Sequence, residues 1–243
     1  MNILIPMAGA GSRFARAGYE KPKPLIDVAG KTMIEWAIEN IGLEGKYIFI
    51  LQESHLQKYP DIRATLEKTV SNLEIITVNG VTEGAACTAL LAKEYINKDE
   101  PLLICNSDQW VDWDADRFLK FVKRKNSDGA LLSFLSDSPK HSYSRYNFET
   151  QLVTEVAEKQ VISNFATVGI YYWKSGSMFV KCAEKMIEKD VRFNNEFYIC
   201  PVYNELIFGH NARVHLYPVT EMRGMGTPEE LNKFLNLLNL EGV

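Results

Sequence analysis

The segment Met7-Ala8-Gly9-Ala10-Gly11-Ser12-Arg13-Phe14 sets two glycines, a hydroxyl and a guanidinium close together, directly after a short apolar run. Gly9 and Gly11 let the backbone approach a ligand and turn amide hydrogens inward. Lys21 and Lys23 follow in Glu20-Lys21-Pro22-Lys23-Pro24-Leu25. Three cations beside such an amide nest suit a triphosphate under attack, where charge must be neutralised as it moves. Two other phosphate loops fail. The dinucleotide fingerprint has Phe14 where its third glycine belongs and Gln52 where an acid should close the second strand, and no G-K-[ST] follows for a P-loop.

Asp108 stands just beyond the apolar run Leu102–Cys105. A carboxylate at the end of a buried strand is costly unless it is paired or binds a metal. Asp112-Trp113-Asp114 has the D-x-D form used by glycosyltransferases, and it also reads as the acidic start of a helix. There is no Ser/His/Asp or Cys/His arrangement, so no protein nucleophile is indicated. Cys87, Cys105, Cys182 and Cys200 form no CxxC and sit in apolar segments, as reduced thiols do. The four histidines have no zinc-ligand spacing.

Elements that place these groups follow from periodicity. Asn2–Pro6, Lys46–Leu51, Leu73–Val78 and Leu102–Cys105 read as buried strands. Helices at 31–41, 61–70, 83–96 and 116–125 separate or follow them, an alternation that predicts a mostly parallel sheet covered on both faces. Further on, strands are expected at 129–135, 152–157, 167–173 and 213–217, and helices at 177–188, 196–208 and 228–238. Pro139–Asn147 reads as a polar loop, and the rings of Tyr143, Tyr146 and Phe148 suit a pocket lining or a homodimer interface. No linker divides the 243 residues, so one α/β domain with an antiparallel elaboration is expected.

Composition narrows the classes. With 27 Lys+Arg against 31 Asp+Glu the net charge is -4, and no basic stripe is present for nucleic acid. The apolar runs are too short to span a bilayer. Met1-Asn2 leads into the first strand without a basic n-region or cleavage site, so a cytoplasmic protein with no membrane partner is expected.

Ala8–Arg13, Lys23-Pro24-Leu25 and Gly30-Lys31-Thr32-Met33-Ile34 resemble the A-G-x-G-[ST]-R loop, the K-P-L lysine and the G-K-P-M-I helix start of the sugar-phosphate nucleotidylyltransferases. Thr82–Ala86, Leu103–Asp108, Val156–Lys159 with Asn164–Tyr171, and Gly226-Thr227-Pro228-Glu229-Glu230-Leu231 continue the resemblance in order along nearly the whole chain. Compact cytidylyltransferase-like members are the most similar. The resemblance implies a Rossmann-like three-layer α/β/α sandwich with a mostly parallel mixed sheet, as in nucleotide-diphospho-sugar transferases. It implies a nucleotide-binding half at 1–128 and an acceptor-binding half at 129–243.

The implied reaction joins a nucleoside triphosphate, with CTP favoured and UTP or dTTP as alternatives, to a sugar 1-phosphate or a small phosphorylated amine or amino acid. Pyrophosphate leaves. Such products usually serve bacterial capsule or other surface glycans. By the same resemblance Arg13 holds the β and γ phosphates, and Lys23 lies across the α-phosphate and the attacking phosphate. Ala8, Gly9, Ala10, Gly11, Ser12, Gly84 and Ala85 contact the nucleotide, and Asn79 reads the base. Asp108 binds Mg²⁺, while Glu158, Lys159 and Glu196 receive the acceptor. Many members carry an Asp two residues before G-T-P as a second metal ligand; this chain has Gly224, and Glu221 is the nearest carboxylate in sequence. A glycosyltransferase using Asp112 and Asp114, and a nucleotide sensor without catalysis, are the competing classes.

Overall fold

Ile3, Leu4 and Ile5 are fully buried, as expected of a strand covered on both faces. They belong to a computed structural model that describes residues 1–241. In the first half the elements run β1 (Asn2–Pro6), α1 (Ser12–Arg16), a 3-10 turn (Lys23–Leu25), β2 (Asp27–Val28), β3 (Lys31–Thr32), α2 (Met33–Ile41), β4 (Lys46–Gln52), α3 (Glu53–Lys58), α4 (Asp61–Thr69), β5 (Leu73–Val78), α5 (Ala85–Leu90), α6 (Lys93–Ile96), β6 (Leu102–Cys105), β7 (Gln109–Val111) and α7 (Ala115–Lys125). The second half adds β8 (Gly129–Leu135), β9 (Tyr143–Asn147), β10 (Leu152–Ala157), β11 (Phe165–Trp173), α8 (Gly176–Glu188), α9 (Val202–His210), β12 (Val214–Pro218), β13 (Met222–Gly224) and α10 (Pro228–Glu241).

Among the described residues the main sheet has nine strands. β1 pairs in parallel with β4 and with β6, and β4 with β5. β11 runs antiparallel between β6 and β8, and β12 returns parallel to β8. Strands of both halves thus make one sheet. Leu4, Ile48 and Ile104 point to one face, against Ala86 and Ala89 of α5, Phe179 of α8 and Tyr203 of α9. Ile3, Ile5 and Phe49 point to the other, against Ile34 and Ile38 of α2, Leu66 of α4 and Phe118 of α7. This is the expected three-layer sandwich, with period-2 strands between amphipathic helices.

A third cluster matters for the site. Phe14 of α1, Ile26, Met33 of α2 and Met225 pack on Leu231, Phe234 and Leu238 of α10. The last helix therefore clamps the glycine loop from outside the sheet. Among the described residues no helix is long and apolar enough to cross a membrane.

Several boundaries differ from expectation. The segment 31–41 begins as β3, and the helix starts at Met33 because Thr32 and Glu35 form a reciprocal cap. The helix expected at 83–96 is broken between α5 and α6. Part of the expected polar loop at 139–147 is a strand, β9, paired antiparallel with β10. The helix expected from Glu196 starts only at Val202: Phe197 N–H donates to Glu83 O and Ala86 N–H donates to Phe197 O, which ties this stretch to the start of α5 instead.

Candidate functional site

The site lies at the C-terminal ends of β1 and β6, where ligands bind in open α/β sheets. After β1 the chain turns through Gly11, whose φ of 61° is left-handed and favours glycine. α1 follows for five residues only. Phe14 is buried and meets the edge of Tyr19 at 5.1 Å, which anchors the turn and leaves Arg13 on the exposed side. The 3-10 turn at 23–25 works similarly: Pro24 and Leu25 are buried, and Lys23 is free to reach across to Asp108.

A cavity of about 460 Å³ gathers Gly9, Gly11, Ser12, Arg13, Lys23 and Asp108. Three predicted groups, Arg13 and Lys23 from one stretch and Asp108 from far along the chain, are thus brought together. Lys23 Nζ and Asp108 form an ion pair, both side chains being only about a quarter exposed or less (25% and 21%). Ala8 and Ala10 do not line this cavity. Ala8 is buried and its carbonyl accepts from Gln52 Nε2 at 2.8 Å, so it braces the loop from behind.

A second cavity of about 260 Å³ adjoins the first and shares Ala85, Asn106 and Tyr198 with it. Glu158 lies in its wall, buried, and accepts from the Ser142 hydroxyl. Burial pushes the Glu158 carboxyl above its ordinary value, against the opposing pull of Ser142 and Lys159. Lys159 sits at a φ of 50°, donates to Tyr198 Oη at 2.8 Å and lies 4.5 Å from the Tyr198 ring centre. Glu196 is exposed and acts on both Tyr198 and Glu158, so the three predicted acceptor residues form one neighbourhood.

Gly84 has a specific job. A Cβ there would lie 2.4 Å from the Phe197 carbonyl oxygen, so only glycine lets the two loops touch. Gly169 is similar: its Cβ would meet Asn106 Nδ2 at 1.9 Å, and this keeps Asn106 in the shared wall. Asn79 lies in an exposed bend after β5 and lines neither cavity.

The residues that sequence reasoning missed are Gln109, Lys140, His141 and Glu230. The first three line the second cavity. Glu230 answers the gap at Gly224. A Cβ added at Gly224 would lie 3.4 Å from Glu230 Oε2; one added at Gly226 would lie 3.3 Å from it and 2.7 Å from Asp108 Oδ2. Glu221, nearer in sequence, is engaged by Arg223 at 3.0 Å. The only signal in the sequence was the G-T-P-E-E run, in which Thr227 Oγ1 accepts from Glu230 N–H and sets the first turn of α10.

Among the described residues no three His, Cys, Asp or Glu side chains gather for a metal. Asp108 and Glu230 nonetheless flank one glycine, and hard divalent cations such as Mg²⁺ need only one or two carboxylates when phosphates and water complete the shell. The residues fit such an ion. Asp114 does not contribute: its carboxylate accepts from Arg117 N–H at 2.8 Å as the N-cap of α7, and neither it nor Asp112 lines either cavity.

Residues 3–205 match the family model described as nucleotidyl transferase. A mannose-1-phosphate guanylyltransferase catalytic subunit beta from Dictyostelium discoideum is 28% identical over 182 residues, covering 70% of this chain and 49% of that protein. A mannose-1-phosphate guanyltransferase from Yarrowia lipolytica is 27% identical, over 70% of this chain and 48% of its own. The chain spans about half the length of these curated relatives. Among solved structures, a nucleoside-diphosphate-sugar pyrophosphorylase from Vibrio cholerae superposes with a TM-score of 0.82 at 25% identity, covering 96% of this chain and 99% of that one. A UDP-glucose pyrophosphorylase complexed with UDP-glucose shares the fold at a TM-score of 0.79 and 16% identity, over 99% of this chain and 98% of its own.

Proposed function

We propose, since the chain belongs to the nucleotidyl transferase family, that it transfers a nucleoside monophosphate from a nucleoside triphosphate to a phosphorylated small molecule and releases pyrophosphate. One observation carries this reading: Arg13, Lys23 and Asp108 line a single cavity beside the glycine loop, and that cavity shares a wall with a second one containing Glu158.

The chemistry follows from the charges. An oxygen of the acceptor phosphate attacks the α-phosphorus, and the bond to pyrophosphate breaks. Two anions must approach, so cations between them lower the barrier. Arg13, with a planar fork suited to phosphate oxygens, holds the leaving pyrophosphate. Lys23 lies between the α-phosphate and the attacking phosphate. Gly9, Gly11 and Ser12 let the main chain approach the phosphates. Asp108 and Glu230 would hold Mg²⁺, which when bound would supply charge neutralisation at the phosphate oxygens. Residues 1–128 supply most of the nucleotide side and residues 129–243 most of the acceptor side, with Lys159 near the acceptor phosphate and Glu158 accepting from the acceptor's hydroxyls.

Sugar 1-phosphates are the acceptor class placed first, because the relatives named above act on them by name. CTP is placed first among nucleotides on the resemblance of the Ala8–Phe14 loop to that of the cytidylyltransferases, followed by UTP, dTTP and GTP, and surface-glycan synthesis is the use we assign to the product. The test is pyrophosphate release with each nucleotide against hexose 1-phosphates and phosphorylated amines, with Mg²⁺. One nucleotide–acceptor pair is expected to dominate, and no release from any pair refutes the reading.

A further inference from the structure

Gln109 is 6% exposed and lines the second cavity. It begins β7, which pairs antiparallel with β13, so its backbone is held opposite Gly224. Its Oε1 accepts from Gly169 N–H at 3.0 Å. Because an amide N–H can only donate, that bond fixes which way the side chain faces. The remaining group, Nε2, carries two N–H donors, is buried, and has no hydrogen-bond partner among the described residues. A buried donor without a partner is costly, and such groups in native folds mark a role.

The rest of the wall says what the missing partner is. Glu158, whose carboxylate accepts from Ser142, is an acceptor. The cavity therefore offers a donor in Gln109 and an acceptor in Glu158. An ammonium group has three donors and no acceptor, so it would satisfy Glu158 and leave Gln109 unmet. A hydroxyl both donates and accepts. Aromatic cages suit quaternary ammonium, but here the Tyr198 ring already carries Lys159 over it. The Tyr171 hydroxyl is turned to Thr167.

We propose that Gln109 is an acceptor-reading residue: its Nε2 donates to a hydroxyl oxygen of the phosphorylated acceptor and selects hydroxylated acceptors over ammonium-bearing ones. This rests on the acceptor reading of the second cavity. Gly169 serves it twice, by anchoring Oε1 and by lacking the Cβ that Asn106 would strike.

The test is Gln109→Glu, which keeps an oxygen for Gly169 N–H and removes the NH2 group. Equilibrium dialysis with radiolabelled mannose 1-phosphate and glucose 1-phosphate, in EDTA, reads binding without turnover. The tighter of the two is expected to lose on the order of ten- to a hundredfold in affinity, the range for an unmet buried hydrogen bond. Ethanolamine phosphate is expected to bind the wild type more weakly and not to lose affinity in the variant, which offers its ammonium a second carboxylate. Nucleotide affinity is expected to hold. Unchanged sugar-phosphate affinity in the variant overturns the proposal, as does a wild type that binds neither sugar phosphate or prefers ethanolamine phosphate. If the variant does not fold, the side-chain amide signals of Gln109 in the wild type decide: they must shift on saturation with the sugar phosphate. A wild type that binds in this Gln109-dependent way yet releases no pyrophosphate would remove the transfer reaction and leave the binding role standing.

Discussion

Lys23 Nζ and the Asp108 carboxylate form an ion pair between the 3-10 turn at 23–25 and the loop after β6. Each is thereby neutralised by the other. On the proposed reading a nucleotide and its metal must part them, since the lysine is then needed on phosphate and the carboxylate on the cation. This gives opposite expectations for binding and for turnover.

Asp108→Asn frees Lys23. Nucleotide affinity measured in EDTA is expected to tighten several-fold, while metal-dependent turnover falls on the order of 10²–10³, the cost of losing one transition-state contact. Calorimetry and a pyrophosphate assay read the two separately. Wild-type turnover in the variant would remove Asp108 from the reaction.

Glu230→Gln is expected to weaken Mn²⁺ binding to the nucleotide-loaded protein on the order of tenfold or more, read by electron paramagnetic resonance. The N–H of residue 230 still reaches Thr227 Oγ1, so the melting temperature is expected to change little. Glu221→Gln should leave the Mn²⁺ affinity where it was. Equal effects at both positions would remove the assignment of Glu230.

Gly84→Ala pushes a methyl group into the Phe197 main chain. At a φ of 129° the alanine backbone is strained as well. Overpacking of this kind costs about 1–3 kcal/mol, and urea unfolding should show it. Unaltered stability would mean that the two loops do not touch in solution.

Burial raises the Glu158 carboxyl above its unfolded value. Stability from such a group is present at low pH and is lost as pH rises from the ordinary glutamate range through the folded value. Glu158→Gln carries no charge, so its melting temperature relative to the wild type should climb as pH rises above the ordinary glutamate range. Acceptor affinity should fall. A stability difference that ignores pH would put the carboxylate in a solvated setting.

The cavity beside the glycine loop was legible because most of it is local: Gly9, Gly11, Arg13 and Lys23 lie within one short stretch, and Asp108 stands next to an apolar run. The strand–helix alternation likewise declares itself by period. Glu158 of the second cavity was singled out only through resemblance, and the rest of that wall was missed where distant segments meet. Gln109 reads as a strand residue until Gly169 captures its carbonyl oxygen. Glu230 reads as a first-turn acid until Gly224 is seen to leave room beside it. β9 was hidden because Arg145, Tyr146 and Asn147 look like loop residues, whereas Tyr143 and Ser144 are fully buried by pairing with β10. The late start of α9 came from main-chain bonds at Phe197, which leave no mark in residue type.

β11, contributed by the second half, covers the edge of β6. Residues 1–128 expressed alone would present that edge bare, four apolar residues long, to any other chain. The two halves share one sheet. An attempt to graft residues 1–128 onto a foreign partner would have to carry β11 along or expect aggregates.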